Sequence, residues 1–192
     1  MRRIYRLLAM EIPRFLGQFG ISLLRGNDSR IAVSLRKIMY RTPCMIDTQV
    51  FIASSSNFVA REGSALYHAC YILNRNGRFL LGDNSHLGSF CYVNVNYGAV
   101  MIGADVAIGP GTKLFAYSNH YRQGMKVTQE KITQDIDIGN NVLIGSNCTI
   151  LPGTVIPDNV IIGAGSVVKG ELETNAIYAG SPCRKIRDGW YL

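Results

Sequence analysis

The sequence predicts a mainly β fold: a parallel β-helix of hexapeptide repeats, with a helical N-terminal segment and one external loop. Three observations predict it. Large aliphatics recur every six residues at Ile138, Ile144, Ile150, Ile156, Ile162 and Val168. Small or β-branched residues (Val142, Cys148, Thr154, Val160, Ser166) hold a second in-phase position, and Gly139, Gly145 and Gly163 follow three of the aliphatics. Residues 119–135 then break the rhythm with a polar, basic stretch. A period of six is neither the 3.6 of a helix nor the 2 of a simple strand. It fits a three-sided coil in which each side is a short strand and a turn, with the aliphatic pointing inward and Gly, Asn and Asp making the turns.

Taken in order, residues 1–45 form a basic amphipathic helical segment. Ile4, Leu8, Ile12, Phe15, Phe19 and Leu23 make one stripe over residues 4–24, with Arg3, Arg6 and Arg14 opposite and a break at Pro13. Asp28 or Ser29 caps a second helix that runs to about Tyr40 and is ended by Thr42-Pro43. The stripe suits packing over the first coil, or contact with anionic lipid; the first is the commoner use of such a face. The coil occupies residues 46–178. Its phase starts at Ile46 and continues through Ile52, Phe58, Ser64 and Cys70. The Asn-Arg-Asn-Gly turn at 74–77 resets it, and a second block runs from Leu81 through Leu87 to Val93. Tyr97-Gly98 shifts the frame again before Ile102, Ile108 and Leu114, and the external loop lies at about 119–135. Residues 179–192 form a basic tail, read as a last strand, a turn at 180–182 and a short helical turn; Trp190, Tyr191 and Leu192 suit a cap or a subunit contact.

The net charge of +7 belongs to residues 1–41, where nine Arg and Lys face only Glu11 and Asp28; the rest of the chain carries 11 basic and 11 acidic side chains. That basicity, without a reading element, points to a membrane surface or an acidic substrate rather than nucleic acid. Cys44, Cys70, Cys91, Cys148 and Cys183 show no paired spacing and read as reduced thiols of a cytoplasmic protein. No apolar run approaches the ~18–20 residues that span a bilayer. Of three histidines, His68 and His86 fall within the coil, whereas His120 falls where the rhythm fails, beside Asn119 and Tyr121. A loop thrown from a regular scaffold tends to carry function.

From about residue 80 to 188 the sequence resembles the hexapeptide-repeat, left-handed β-helix acyltransferases, nearest to the branch that O-acetylates sugars (galactoside, maltose and nodulation-factor acetyltransferases). The resemblance rests on Y-x-N-x-N at 92–96, on Asn119-His120 at the start of the loop, and on IGNNVLIGS at 138–146, GAGSVV at 163–168 and AGSPCRKIR at 179–187. It implies a homotrimer with acetyl-CoA in the groove between prisms and a saccharide acceptor, such as a cell-surface polysaccharide precursor. It implies His120 as general base and Asn94, or Asn96, as its partner on the acceptor. Ser146 and Ala164 would line the pantetheine arm, with Arg184, Arg187 and Lys169 near the adenosine and phosphates. Two positions depart from the pattern: Leu143 replaces an aromatic, and Lys169-Gly170 replaces a Thr-Lys pair. Attack by the acceptor would be direct, consistent with the lack of a G-x-S-x-G nucleophile elbow.

Three other functions fit the sequence less well. One is N-acylation of an amino sugar or antibiotic. A γ-type carbonic anhydrase needs three imidazoles on zinc, and the three histidines are spaced 18 and 34 residues apart, so no metal ligands are assigned. The third is a non-catalytic assembly module.

Overall fold

The computed structural model describes residues 29–189. The expected helix over 4–24 and the tail at 190–192 lie outside the described residues. The second helix is present as Arg30–Tyr40. The Ser29 hydroxyl accepts from the Ala32 N–H at 3.2 Å, satisfying one open helix donor. Arg41, at φ 50°, closes the other end. Ala32, Arg36 and Tyr40 face inward, and the Arg36 Nε donates to the Ile46 carbonyl at 2.7 Å, so this helix packs over the first coil. Among the described residues no helix is long and apolar enough to cross a membrane.

From Met45 onward the chain is a three-sided solenoid of parallel strands. The inner positions stack in register as three columns. Ile46, Leu66, Leu87, Ile108, Ile144, Ile162 and Tyr178 line the first face. Ile52, Ile72, Val93, Leu114, Ile150 and Val168 line the second. Ala60, Leu81, Ile102, Ile138 and Ile156 line the third. All are buried, so the hexad aliphatics form the core as their spacing predicts.

Ser64 and Cys70 differ from the expected phase. The strand Phe58–Ala60 buries both Phe58 and Ala60, which moves the inward aliphatics to Leu66 and Ile72. Ser64 and Cys70 instead fill the small buried positions of two different corners, Cys70 at the one between the first and second faces. Cys70, Cys91, Thr112 and Cys148 stack there, and each donates to a corner carbonyl of the next coil: Gly88 at 3.1 Å, Gly109 at 3.3 Å, Gly145 at 3.0 Å and Gly163 at 3.3 Å. The corner thus needs a small side chain with one donor, which a thiol supplies as well as a hydroxyl. Burial pushes the Cys44 and Cys148 thiols up, and contact with the Cys91 thiol together with burial pushes Cys70 up. We expect at most Cys183, the half-exposed thiol, to react with Ellman's reagent in the folded protein; rapid reaction of several thiols before unfolding would contradict this packing.

The departures from six share one location. The steps from Ile52 to Ala60, Ile72 to Leu81, Val93 to Ile102 and Leu114 to Ile138 are eight, nine, nine and twenty-four residues long. Every other step from Ile46 to Val168 is six. All the surplus chain therefore leaves the prism at one corner, between the second and third faces, where it lengthens a turn without disturbing the stacked columns. The C-terminal end also differs from expectation. After the strand Ala176–Ala179 the chain turns back as an antiparallel strand, Arg184–Asp188, rather than a helical turn. An ion pair from Lys185 to Glu173 (2.7 Å) ties it down, and Lys185 also pairs with Asp188 within the strand.

Candidate active site

The largest surplus is a β-hairpin of Tyr117–His120 and Glu130–Thr133, antiparallel with Tyr117 opposite Thr133 and His120 opposite Glu130. Both ends of its root are fixed to the coil before it. The Ala116 N–H donates to the Asn94 carbonyl and the Gln134 N–H to the Ala116 carbonyl, each at 3.0 Å. The Asp135 carboxylate accepts from the Ala99 N–H at 2.7 Å. Tyr117 lies 5.8 Å from the Tyr97 ring and under the Lys131 ammonium, 5.3 Å from its centroid; a hydrogen bond to the Tyr117 hydroxyl holds the Lys131 pKa up. Nearer the tip, Arg122 pairs with Glu130 at 3.3 Å.

His120, half-buried at the end of its strand, lines a cleft of about 300 Å³. Ser118, Asn119, Ile132 and Gln134 of the hairpin line it too, with Leu151 and Pro152 of the stacked corner and Lys169 of the coil beyond. The cleft joins an imidazole, a primary ammonium and two side-chain amides in one water-accessible space. Lys169 therefore sits with His120. Ser118 and Gln134 belong to no motif in the sequence; the only signal is that Ser118 borders the unrhythmic stretch at 119–135 and Gln134 lies at its far end.

The other predicted residues fall elsewhere. Asn94 ends the strand Tyr92–Asn94 one coil before the hairpin. Its carboxamide oxygen accepts from the Asn96 N–H at 3.3 Å, and it does not line the His120 cleft. Ser146 and Ala164 stack at the corner between the first and second faces. A Cβ on Gly145 would meet the Ala164 nitrogen at 2.5 Å, and the Gly165 N–H donates to the Ser146 carbonyl at 2.8 Å. Beside them the outer side of the first face carries Ala107, Leu143 and Ile161, an apolar strip that continues to Ile177 and its strand partner Arg187. Arg184 and Arg187 are exposed. One chain thus brings together His120 with Lys169, and separately Ser146 with Ala164, with the second face between the two groups. His68 bonds Thr48 at 2.6 Å and His86 edges onto Tyr67. Among the described residues no group of three His, Cys, Asp or Glu is placed to hold a metal ion.

This is a hexapeptide-repeat β-solenoid, and its fold is that of sugar and amino-sugar O- and N-acyltransferases. Residues 135–170 match the bacterial transferase hexapeptide family (six repeats). The chain is related to the galactoside acetyltransferases. It is 39% identical to galactoside O-acetyltransferase of Escherichia coli (strain K12) over 57% of this chain, and the matched stretch spans only 57% of that protein's length. It is 28% identical to the putative lipopolysaccharide biosynthesis O-acetyl transferase WbbJ of the same strain, over 81% of this chain and 84% of that one. Among solved structures, a galactoside acetyltransferase in complex with coenzyme A superposes with a TM-score of 0.59, with 26% identity over 91% of this chain and 80% of that chain.

Proposed function

We propose that this chain transfers an acetyl group from acetyl-CoA to a saccharide hydroxyl, with His120 as general base. The observation that carries the reading is the His120 cleft itself, where a hairpin with both ends of its root bonded to the coil before it places the imidazole beside Lys169. A neutral imidazole there can take the acceptor's hydroxyl proton as the oxygen attacks the thioester carbonyl. The C–S bond breaks, and the imidazolium returns the proton to the departing CoA sulfur. No acyl-enzyme forms, so no nucleophilic side chain is required.

The residues fit the donor chemically. The strip of Ala107, Leu143 and Ile161 suits the pantetheine arm, with Ser146 and Ala164 beside it, and the exposed Arg184 and Arg187 suit phosphate oxygens. Since this strip and the His120 cleft lie on different corners of one prism, a donor reaches both only between adjacent prisms. That favours a homotrimer in which each site joins two copies. The E. coli WbbJ relative supports an acceptor in cell-surface polysaccharide synthesis. Size-fractionated protein should elute as a trimer and, given acetyl-CoA, add one acetyl group to an oxygen of a galactoside or glycan fragment in mass spectrometry. Acetylation of amines alone, or of no saccharide, would overturn the reading.

A further inference from the structure

The same corner holds a second cleft, of about 300 Å³, lined by Phe51, Ala53, Leu73, Arg75, Asn76 and Asn96. We propose that it is a distal acceptor subsite that binds an anionic residue of an extended saccharide. The proposal rests on the saccharide-acceptor reading of the His120 cleft.

Its lining is suited to an acidic sugar. Phe51 gives the cleft an apolar wall for the C–H edge of a sugar ring, and its stacking on Tyr71, with centroids 4.8 Å apart and planes 22° from parallel, fixes its orientation. Asn76 and Asn96 each offer a donor and an acceptor to neighbouring hydroxyls. Arg75 offers a fork that matches a carboxylate or phosphate. No Asp or Glu lines the cleft. Among the described residues the side chains of Arg75, Asn76 and Asn96 take no hydrogen-bond or ion-pair partner, so three polar groups converge on one space without holding the fold together.

The backbone that carries them is clamped. The fully buried Asn74 pairs with the coil before it: the Ser54 N–H donates to its Oδ1 at 3.0 Å, and its Nδ2 donates to the Ser54 carbonyl at 2.8 Å. The Asn57 Nδ2 donates to the Arg75 carbonyl at 3.0 Å, and Asn94 holds the Asn96 N–H. The position along the prism is equally defined. Leu73 pairs with Asn94 and Asn94 with Phe115, at the hairpin root, so the Arg75 turn lies two coils from that root. At about 4.8 Å between strands this is roughly 10 Å. The His120 cleft opens on the far side of that hairpin, against Leu151 and Lys169, so an acceptor whose hydroxyl reaches His120 would pass the hairpin to present a more distant sugar here.

The test is calorimetric titration of the full chain without acetyl-CoA, using trigalacturonate, maltotriose bearing one phosphate monoester, and neutral maltotriose. The wild type is expected to prefer one or both anionic trisaccharides over maltotriose; which of them it prefers separates carboxylate from phosphate. Arg75→Gln should weaken the preferred anion about tenfold and leave maltotriose unchanged, while Asn76→Ala weakens all three. Both side chains are exposed, so unchanged thermal unfolding should accompany the loss. No anionic preference in the wild type, or wild-type binding by Arg75→Gln, overturns the proposal. Anion-selective binding by a chain that acetylates no saccharide would uphold this site and remove the transfer reading alone.

Discussion

His120→Ala is expected to lower acetyl transfer by about 10²–10⁴-fold, the usual contribution of a positioned general base. The loss should fall on kcat, because the imidazole acts as the proton leaves the acceptor. The KM for acetyl-CoA should change little, because the proposed donor contacts lie on Ser146, Ala164, Arg184 and Arg187. Stability should be unchanged. His120 is half-exposed at a strand end, and among the described residues its ring takes no hydrogen bond that holds the hairpin. The hairpin root depends instead on Ala116, Gln134 and Asp135. Steady-state kinetics alongside thermal unfolding and particle size checks this. A variant that keeps most of its turnover removes His120 as the base. A variant that loses turnover with size and melting preserved excludes a non-catalytic assembly role.

The hexad run from Ile138 to Val168 was legible because every step there is six, so sequence phase and spatial register coincide. Earlier in the chain they part. A solenoid of this kind buries two kinds of position, the large aliphatic of each face and the small residue at each corner, and Ser64 and Cys70 satisfy a one-dimensional rhythm equally well in either role. Only the pairing of Ala60 with Leu81 shows which role they hold. The site was half legible for a related reason. An eighteen-residue surplus that contains His120 stands out against the coil, whereas the short surplus around Arg75 and Asn76 looks like any turn. Its meaning appears only when stacking puts it beside Asn96, twenty residues away in sequence. Similarly, Arg184–Asp188 holds a single apolar residue, Ile186, among charged ones, so no hydrophobic period marked it as a strand; Lys185 anchors it by an ion pair to Glu173 rather than by an apolar face.

Gly103→Ala is expected to destabilise the fold by about 3 kcal/mol, the upper part of the usual overpacking range. Gly82, Gly103 and Gly139 follow the inward residues Leu81, Ile102 and Ile138 and lie one above another at the corner between the third and first faces. The Gly82 N–H donates to the Ile102 carbonyl at 2.9 Å and the Gly103 N–H to the Ile138 carbonyl at 2.8 Å. A Cβ on Gly103 would sit 2.5 Å from the Gly139 carbonyl oxygen and 2.7 Å from its carbon. Both obstacles are backbone of the next coil, held by its own ladder bonds, so relief requires separating two coils. Gly165 provides the contrast. It is at φ +71°, and a Cβ there meets nothing within 4 Å. Asn147 already holds φ 57° one coil earlier at the same corner, which makes Gly165→Asn a near-neutral change, within about 0.5 kcal/mol. For a chain of this size, about 3 kcal/mol corresponds to a fall in Tm of roughly 6–12 °C. Thermal unfolding of the two variants separates the requirements: a Gly103→Ala melt as high as that of Gly165→Asn would mean that the coils tolerate a methyl between them and that their spacing is set by the turns, not by backbone contact.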